Sequence, residues 1–150
     1  TPSDFCIGVG GYPEKHFEAP NLAEDLANLK RKIDHGADYV VTQMFFNNDH
    51  YFRFVDACRD AGITVPIIPG LKVLASERQL TMLPRTFQCE LPPELVAQAR
   101  AKDTKKVVDV GIQWTIKQCR ELLEAGVPAL HFYVMQNTRA VNQVLAELKL

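Results

Sequence analysis

A stripe of polar side chains on the first predicted helix offers the most specific chemistry in this sequence. Asp25, Asn28 and Lys32 recur at i, i+3 and i+7, so they share one sector of a helix. Arg31 lies beside them. A carboxylate, an amide and two cations on one face can hold a diphosphate and the hydroxyl groups of a polyol. On periodicity alone, a solvated helix face with incidental ion pairs is the commoner origin of such a stripe.

The loop that precedes this helix, "GGYPEKHFEAP", carries a second pair of candidates, Tyr12 and His16. In α/β folds ligands bind at the carboxyl ends of the strands, which is where this loop must lie. An aromatic ring and an imidazole there can stack on a ligand or hydrogen-bond to it. The alternative is structural, with Tyr12 anchoring the turn and His16 serving the fold. The glycines match neither the G-x-G-x-x-G fingerprint nor a phosphate-binding P-loop.

Gln43 and Tyr133 stand near the carboxyl ends of two other apolar runs. A primary amide within a buried strand must find hydrogen-bond partners, and it offers a donor and an acceptor to a heterocycle. Capping of the backbone is the equally simple alternative for Gln43. Tyr133 shares a strand face with His131, and it is the better ligand candidate of the two because it lies nearer the carboxyl end.

The elements that must position these residues follow one pattern. Three segments run from a charged helical stretch through a glycine into an apolar run, and the glycines are Gly36, Gly62 and Gly126. Each glycine is typical of a helix end. The runs are apolar on both parities, which predicts strands covered on both faces. Strands are predicted at 5–11, 38–45, 65–71 and 129–134, and helices at 22–35, 49–61, 76–83, 93–102, 107–125 and 138–149.

Alternating strands and helices predict an α/β fold with a parallel sheet, organised as one unit over residues 1–150. Four strands suit either an open doubly wound sheet or half of an eight-stranded barrel, which needs about 250 residues. A first strand that begins within a few residues of Thr1 favours the half-barrel.

Composition excludes several classes of protein. The chain is 47% hydrophobic and has 17 Lys+Arg against 18 Asp+Glu, which is typical of a globular domain and gives no general attraction to nucleic acid or to an anionic membrane. No apolar stretch approaches the length of a membrane span, and no signal peptide follows Thr1. The four cysteines are scattered without metal-ligand spacing. We therefore expect reduced thiols, no metal and a cytoplasmic location.

The sequence resembles the methylenetetrahydrofolate reductase family. The resemblance rests on Y-P-E-x-H, the D-L-x-x-L-K-x-K helix, G-A-D-Y-x-x-T-Q-x-F-F, I-P-G and H-F-Y, in this order and over most of the chain. It implies a flavoprotein oxidoreductase with a (β/α)8 TIM barrel, of which this chain corresponds to strands five to eight. In that family a reduced nicotinamide, NADH or NADPH, transfers a hydride to FAD, and the reduced flavin converts methylenetetrahydrofolate to methyltetrahydrofolate, a step of one-carbon metabolism that supplies methionine biosynthesis.

The resemblance also implies roles for single residues. The FAD contacts would be Tyr12, His16, Asp25, Asn28, Arg31 and Lys32, with the last two nearest the diphosphate. Gln43 would hydrogen-bond the folate pterin, and Tyr133 would line the same pocket. No catalytic acid or base is expected in this segment, because the family's acidic residues lie on earlier strands.

Two segments depart from the family pattern. "GLKVLASERQL" lacks the usual proline after its strand, and "VMQNTRA" replaces L-N-R, so whether Arg139 takes the place of that arginine stays open. Two other interpretations also stay open. One is a flavin- or phosphate-binding fragment without catalysis, and the other is a structural half-barrel that forms a homo-oligomer to cover its sheet edges.

Overall fold

The computed structural model describes residues 4–100, 103–135 and 138–150, which form an α/β fold with parallel strands. The strands are β1 (Gly8–Gly11), β2 (Tyr39–Thr42), β3 (Ile67–Ile68), β4 (Gly70–Leu71) and β5 (His131–Phe132). The helices are α1 (Leu22–Asp34), α2 (Asn48–Asp60), α3 (Gln79–Phe87), α4 (Pro93–Ala99), α5 (Thr104–Glu124) and α6 (Arg139–Leu148). None of the described helices is both long and apolar enough to cross a membrane.

Local signals in the sequence account for most helix ends. Asn21 caps α1 by accepting a hydrogen bond from the Glu24 amide at 2.9 Å. Asp103 does the same for α5, which begins earlier than predicted because Asp103 accepts from the Lys106 amide at 3.0 Å. Gly36, Gly62 and Gly126 have φ of 102°, 74° and 76°, which only glycine adopts readily. The predicted helix 93–102 ends at Ala99, and residues 101–102 lie outside the described residues.

The predicted third strand, 65–71, is not continuous. Pro69 divides it into β3 and β4, because proline has no amide hydrogen for the sheet ladder. The Thr42 hydroxyl accepts a hydrogen bond from the Gly70 amide at 2.9 Å, and the Pro69 carbonyl accepts one from the His131 amide at 3.0 Å. The break therefore produces two small sheets, β1-β2-β3 and β4-β5, instead of one.

All strand pairs in the described residues are parallel and follow the order of the sequence. β1 pairs only with β2, and β5 pairs only with β4, so each outer strand has a free edge in the described part of the chain. Sequential parallel strands with two free outer edges were predicted, and this part of the prediction is confirmed.

The prediction that both sheet faces are covered was wrong for the central strand. Val40 and Thr42 of β2 are buried, whereas Tyr39 and Val41, which point the other way, are only half-buried. Helices α2, α5 and α6 pack against the first face, where Val40 and Leu71 join a core with Phe54, Ile116 and Val144. We call the opposite face, which carries Tyr39 and Val41, the open face.

Candidate functional site

A cleft of about 520 Å³ runs along α1 and is bordered on its other side by the loop after β1. We call it the α1 cleft. Its walls contain all six residues that the sequence assigned to the cofactor, together with one that the sequence analysis missed. The lining residues are Tyr12, His16, Asp25, Asn28, Arg31, Lys32 and His35.

Hydrogen bonds fix the loop that carries Tyr12 and His16. The His16 amide donates to Asp25 Oδ2 at 2.8 Å, which ties the loop to α1. The Tyr12 and His16 rings meet edge to face, with their centroids 4.4 Å apart. Lys15 adopts a φ of 76° and its Nζ donates to the carbonyl oxygens of His16 and Ala19 at 3.0 and 2.5 Å. The two rings are therefore held in place at one end of the cleft.

The other end of the α1 cleft is cationic. The Arg31 guanidinium donates to Asn28 Oδ1, and His35 Nδ1 lies 2.6 Å from the Arg31 carbonyl oxygen. The Lys32 ammonium has no hydrogen bond or ion pair with any described residue. Arg31 and Lys32 lie in the last turn of α1, and the backbone dipole at the carboxyl end of a helix repels anions. A phosphate group bound there would depend on the side-chain cations.

Gln43 and Tyr133 lie at the carboxyl ends of β2 and β5, as predicted, but they border different recesses. Gln43 borders a small recess of about 10 Å³ that also contacts Tyr12. Its Oε1 accepts a hydrogen bond from the Met44 amide at 3.0 Å, so the carbonyl group of the Gln43 side chain caps the backbone. Tyr133 donates its hydroxyl to the Thr42 carbonyl oxygen at 2.9 Å. That the two residues contact one ligand stays a prediction.

Tyr12 connects these locations, because it borders both the α1 cleft and the Gln43 recess. Burial raises the pKa of Tyr133, and the neighbouring Tyr12 phenol raises it further. The two phenols, the Gln43 amide and the α1 cleft thus form a connected region at the carboxyl ends of the strands.

Lys72 was not singled out from the sequence. It follows β4 directly and borders a cleft of about 190 Å³ beside Tyr133, which we call the Lys72 cleft. Burial lowers the pKa of its ammonium. A lysine one residue beyond a strand that ends on the ligand-binding side is a signal that could have identified it.

A third polar group joins the loop after β1 to the rest of the fold. His50 Nε2 lies 2.8 Å from Glu90 Oε2 and 3.9 Å from Glu14 Oε2, and the Glu90 amide donates to Glu14 Oε2 at 2.6 Å. Burial raises the pKa of Glu14. Three such donor atoms could hold a metal ion, but Arg53 Nη2 lies 3.1 Å from His50 Nδ1 and donates to it. A neutral ring then carries its proton on Nε2, which leaves no lone pair for a metal. In this arrangement the group tethers the loop by hydrogen bonds from His50 to Glu90 and from the Glu90 amide to Glu14.

The family model described as methylenetetrahydrofolate reductase matches residues 2–149. The chain belongs to the methylenetetrahydrofolate reductase family. The probable methylenetetrahydrofolate reductase (NADPH) of Caenorhabditis elegans is 36% identical over 97% of this chain and 22% of its own length. The methylenetetrahydrofolate reductase (NADH) 1 of Arabidopsis thaliana is 35% identical over 97% of this chain and 26% of its own length. The chain thus spans only about a quarter of these curated relatives.

A solved structure of a Clostridium thermocellum protein, described as binding two copies of 5-methyl-5,6,7,8-tetrahydrofolic acid, is similar in fold. It aligns with a TM-score of 0.63 at 20% sequence identity, over 97% of this chain and 54% of that chain. The α/β architecture with parallel strands is therefore shared with a longer protein.

Proposed function

We propose that this chain supplies flavin and folate contacts of a methylenetetrahydrofolate reductase, an oxidoreductase that reduces methylenetetrahydrofolate to methyltetrahydrofolate with NADH or NADPH. The observation that carries the proposal is the α1 cleft, whose walls contain all six residues assigned to FAD. Membership of the family supports the folate substrate, and the names of two relatives support a reduced nicotinamide as donor.

The residues of the α1 cleft fit the non-reacting part of FAD. Arg31 and Lys32 would hold the diphosphate, and the unpartnered Lys32 ammonium suits an anionic ligand. Asp25 accepts a backbone hydrogen bond through Oδ2, so its second oxygen would accept from a hydroxyl of the ribityl chain or the ribose. Tyr12 and His16 would pack against a ring. When bound, FAD would supply the hydride chemistry that no side chain of this segment performs.

Gln43 and Tyr133 would bind the folate on the open face. Gln43 uses Oε1 for the Met44 amide, so its NH2 group is the part that would donate to the pterin. Because Tyr12 borders both the α1 cleft and the Gln43 recess, a flavin and a pterin bound at these places would be neighbours, as hydride transfer requires.

We further propose that the strands are the second half of a (β/α)8 barrel. The free edges of β1 and β5 would then pair with strands from the rest of the barrel, and the open face would become its interior. The chain covers 54% of the Clostridium thermocellum protein that shares its fold, a proportion that suits half of a barrel.

The flavin site is tested with Lys32→Ala in the purified protein. Loss of one charge-assisted contact should weaken FAD binding by about 1.5–3 kcal/mol, or roughly 10- to 100-fold. The apo protein should keep its thermal stability, because an exposed helical lysine contributes little. Lys30→Ala is the matched control, because Lys30 lies on the same helix but pairs with Asp34 outside the cleft. Unchanged FAD binding in Lys32→Ala would refute the assignment.

The folate role is tested with Gln43→Glu, which keeps an acceptor for the Met44 amide and removes the NH2 donor. Stopped-flow kinetics should show that oxidation of the reduced flavin by methylenetetrahydrofolate slows strongly, whereas flavin reduction by the nicotinamide does not. Equal slowing of both steps would contradict the proposed pterin contact. Flavin binding without turnover by the wild-type protein would favour the non-catalytic fragment instead.

A further inference from the structure

Lys72 and Tyr133 are neighbours at the carboxyl ends of paired strands. In the β4–β5 register Gly70 pairs with His131 and Leu71 with Phe132, so Lys72 and Tyr133 form the next pair. The Tyr133 amide donates to the Leu71 carbonyl at 2.8 Å, which continues the ladder. Leu71 is fully buried in the helix-side core, and side chains alternate along a strand. Lys72 therefore lies on the open face, as Tyr133 does.

The Lys72 ammonium has no counter-ion among the residues that the structure describes. Its only hydrogen bond to a described residue reaches the Tyr133 carbonyl oxygen at 3.5 Å, which is longer than the usual range of about 2.7–3.2 Å for such a bond. No carboxylate of the described residues pairs with it. An ammonium has three donors, and Lys72 as a residue is half-buried. A partly desolvated cation with most of its donors unused has the properties of an anion contact.

The rest of the Lys72 cleft suits an apolar group that ends in an anion. Val73, Val141 and the Tyr133 ring contribute apolar walls. Gln79 is a further polar side chain among the described lining residues, and its Oε1 accepts from the Ala75 amide at 2.7 Å, which leaves its NH2 group as a second donor. None of the described residues that line this cleft has a carboxylate side chain.

We propose that Lys72 binds a carboxylate of the substrate's tail, the glutamate group of the folate, while Tyr133 packs against the neighbouring benzoyl ring. This inference rests on the proposed function, because it takes the folate as the ligand of the open face. It makes Lys72 a specificity-determining residue that separates complete folates from pterins without the tail.

The test combines a side-chain change with a ligand change. Binding of 5-methyltetrahydrofolate and of 6-methyltetrahydropterin, which lacks the benzoylglutamate tail, is measured by calorimetry or competition for wild-type protein and for Lys72→Met. The variant should lose about 10- to 100-fold in affinity for the folate and less than about twofold for the pterin. Lys72→Arg should retain most of the folate affinity. Lys105→Met, at an exposed lysine in the first turn of α5, is the control and should change neither.

Each other outcome overturns the inference. Unchanged folate affinity in Lys72→Met would exclude the contact, and equal losses for both ligands would place Lys72 against the pterin or in the fold. These results would leave the proposed function intact. Failure of the wild-type protein to bind 5-methyltetrahydrofolate would instead refute the proposed function, and the inference with it.

Discussion

Gly111→Ala tests how closely α5 must approach the segment that carries Lys72. A methyl group at Gly111 would lie 2.0 Å from the Leu74 carbonyl oxygen and 2.8 Å from the carbonyl carbon. Both are backbone atoms, so no side-chain rotation relieves the overlap. Relief requires the helix and the chain after β4 to separate by more than about 1 Å, given ordinary carbon–oxygen contacts of about 3.3–3.6 Å.

Two effects oppose each other in this variant. Alanine is favoured over glycine in a helix interior by about 1 kcal/mol. Overpacking of a rigid core costs about 1–3 kcal/mol and more where backbone must move, and Leu74 is itself buried in a core with Leu83 and Val107. We expect a net loss of about 1–3 kcal/mol in the free energy of unfolding, which lowers Tm by about 3–10 °C for a domain of this size.

The assay is thermal and urea unfolding followed by circular dichroism. Gln113→Ala, at an exposed position of the same helix, is the control and should be neutral or slightly stabilising. Because Leu74 lies two residues from Lys72, Gly111→Ala should also weaken binding in the Lys72 cleft. A Gly111→Ala protein as stable as wild type, or more stable, would refute the argument from close approach.

Three further predictions concern titration and burial. At pH 8 one thiol, the exposed Cys6, should react rapidly with a disulfide reagent in the native protein. The three other cysteines should react slowly, because burial raises their pKa values to about 11 or 12. A fast phase that persists in Cys6→Ser would contradict this. Tyr51 donates to the buried Ile67 carbonyl at 2.7 Å, and burial raises its pKa to about 12. Tyr51→Phe should therefore lower the free energy of unfolding by about 1–2 kcal/mol in urea denaturation, whereas Tyr39→Phe should change it little. Lys72 is charged below its lowered pKa and neutral above it, so the affinity for 5-methyltetrahydrofolate should fall as pH rises through that pKa. The affinity of Lys72→Arg, measured over the same pH range, should not show this fall, because arginine stays protonated.

The sequence determined the order and type of the elements, because their signals are local. A cap such as Asn21 contacts the amide of Glu24, three residues away, and a glycine such as Gly36 ends a helix through its own φ. The sector that groups Asp25 with Lys32 is likewise a property of one helix, so the α1 wall of the cleft could be predicted from spacing. Tyr12 and His16 followed from the position of their loop after the first strand, and the family motifs then assigned them to the same cofactor as the α1 residues.

Tertiary structure decided what depends on contacts between distant segments. Thr42 stabilises the chain after the strand break at Pro69, because its hydroxyl accepts a hydrogen bond from the Gly70 amide. The Thr42 carbonyl oxygen also accepts from the Tyr133 hydroxyl, 91 positions away along the chain. The number of residues between Gln43 and Tyr133 gives no information on whether they share a cavity, and the fold separates them into two recesses. For Lys72 the sequence offers only its position just after a predicted strand, which does not show what surrounds its ammonium. Its proposed role as an anion contact follows from the fold, which places its ammonium in a cleft whose described lining has no carboxylate. The desolvation of a cation and the lack of a counter-ion both depend on the three-dimensional surroundings.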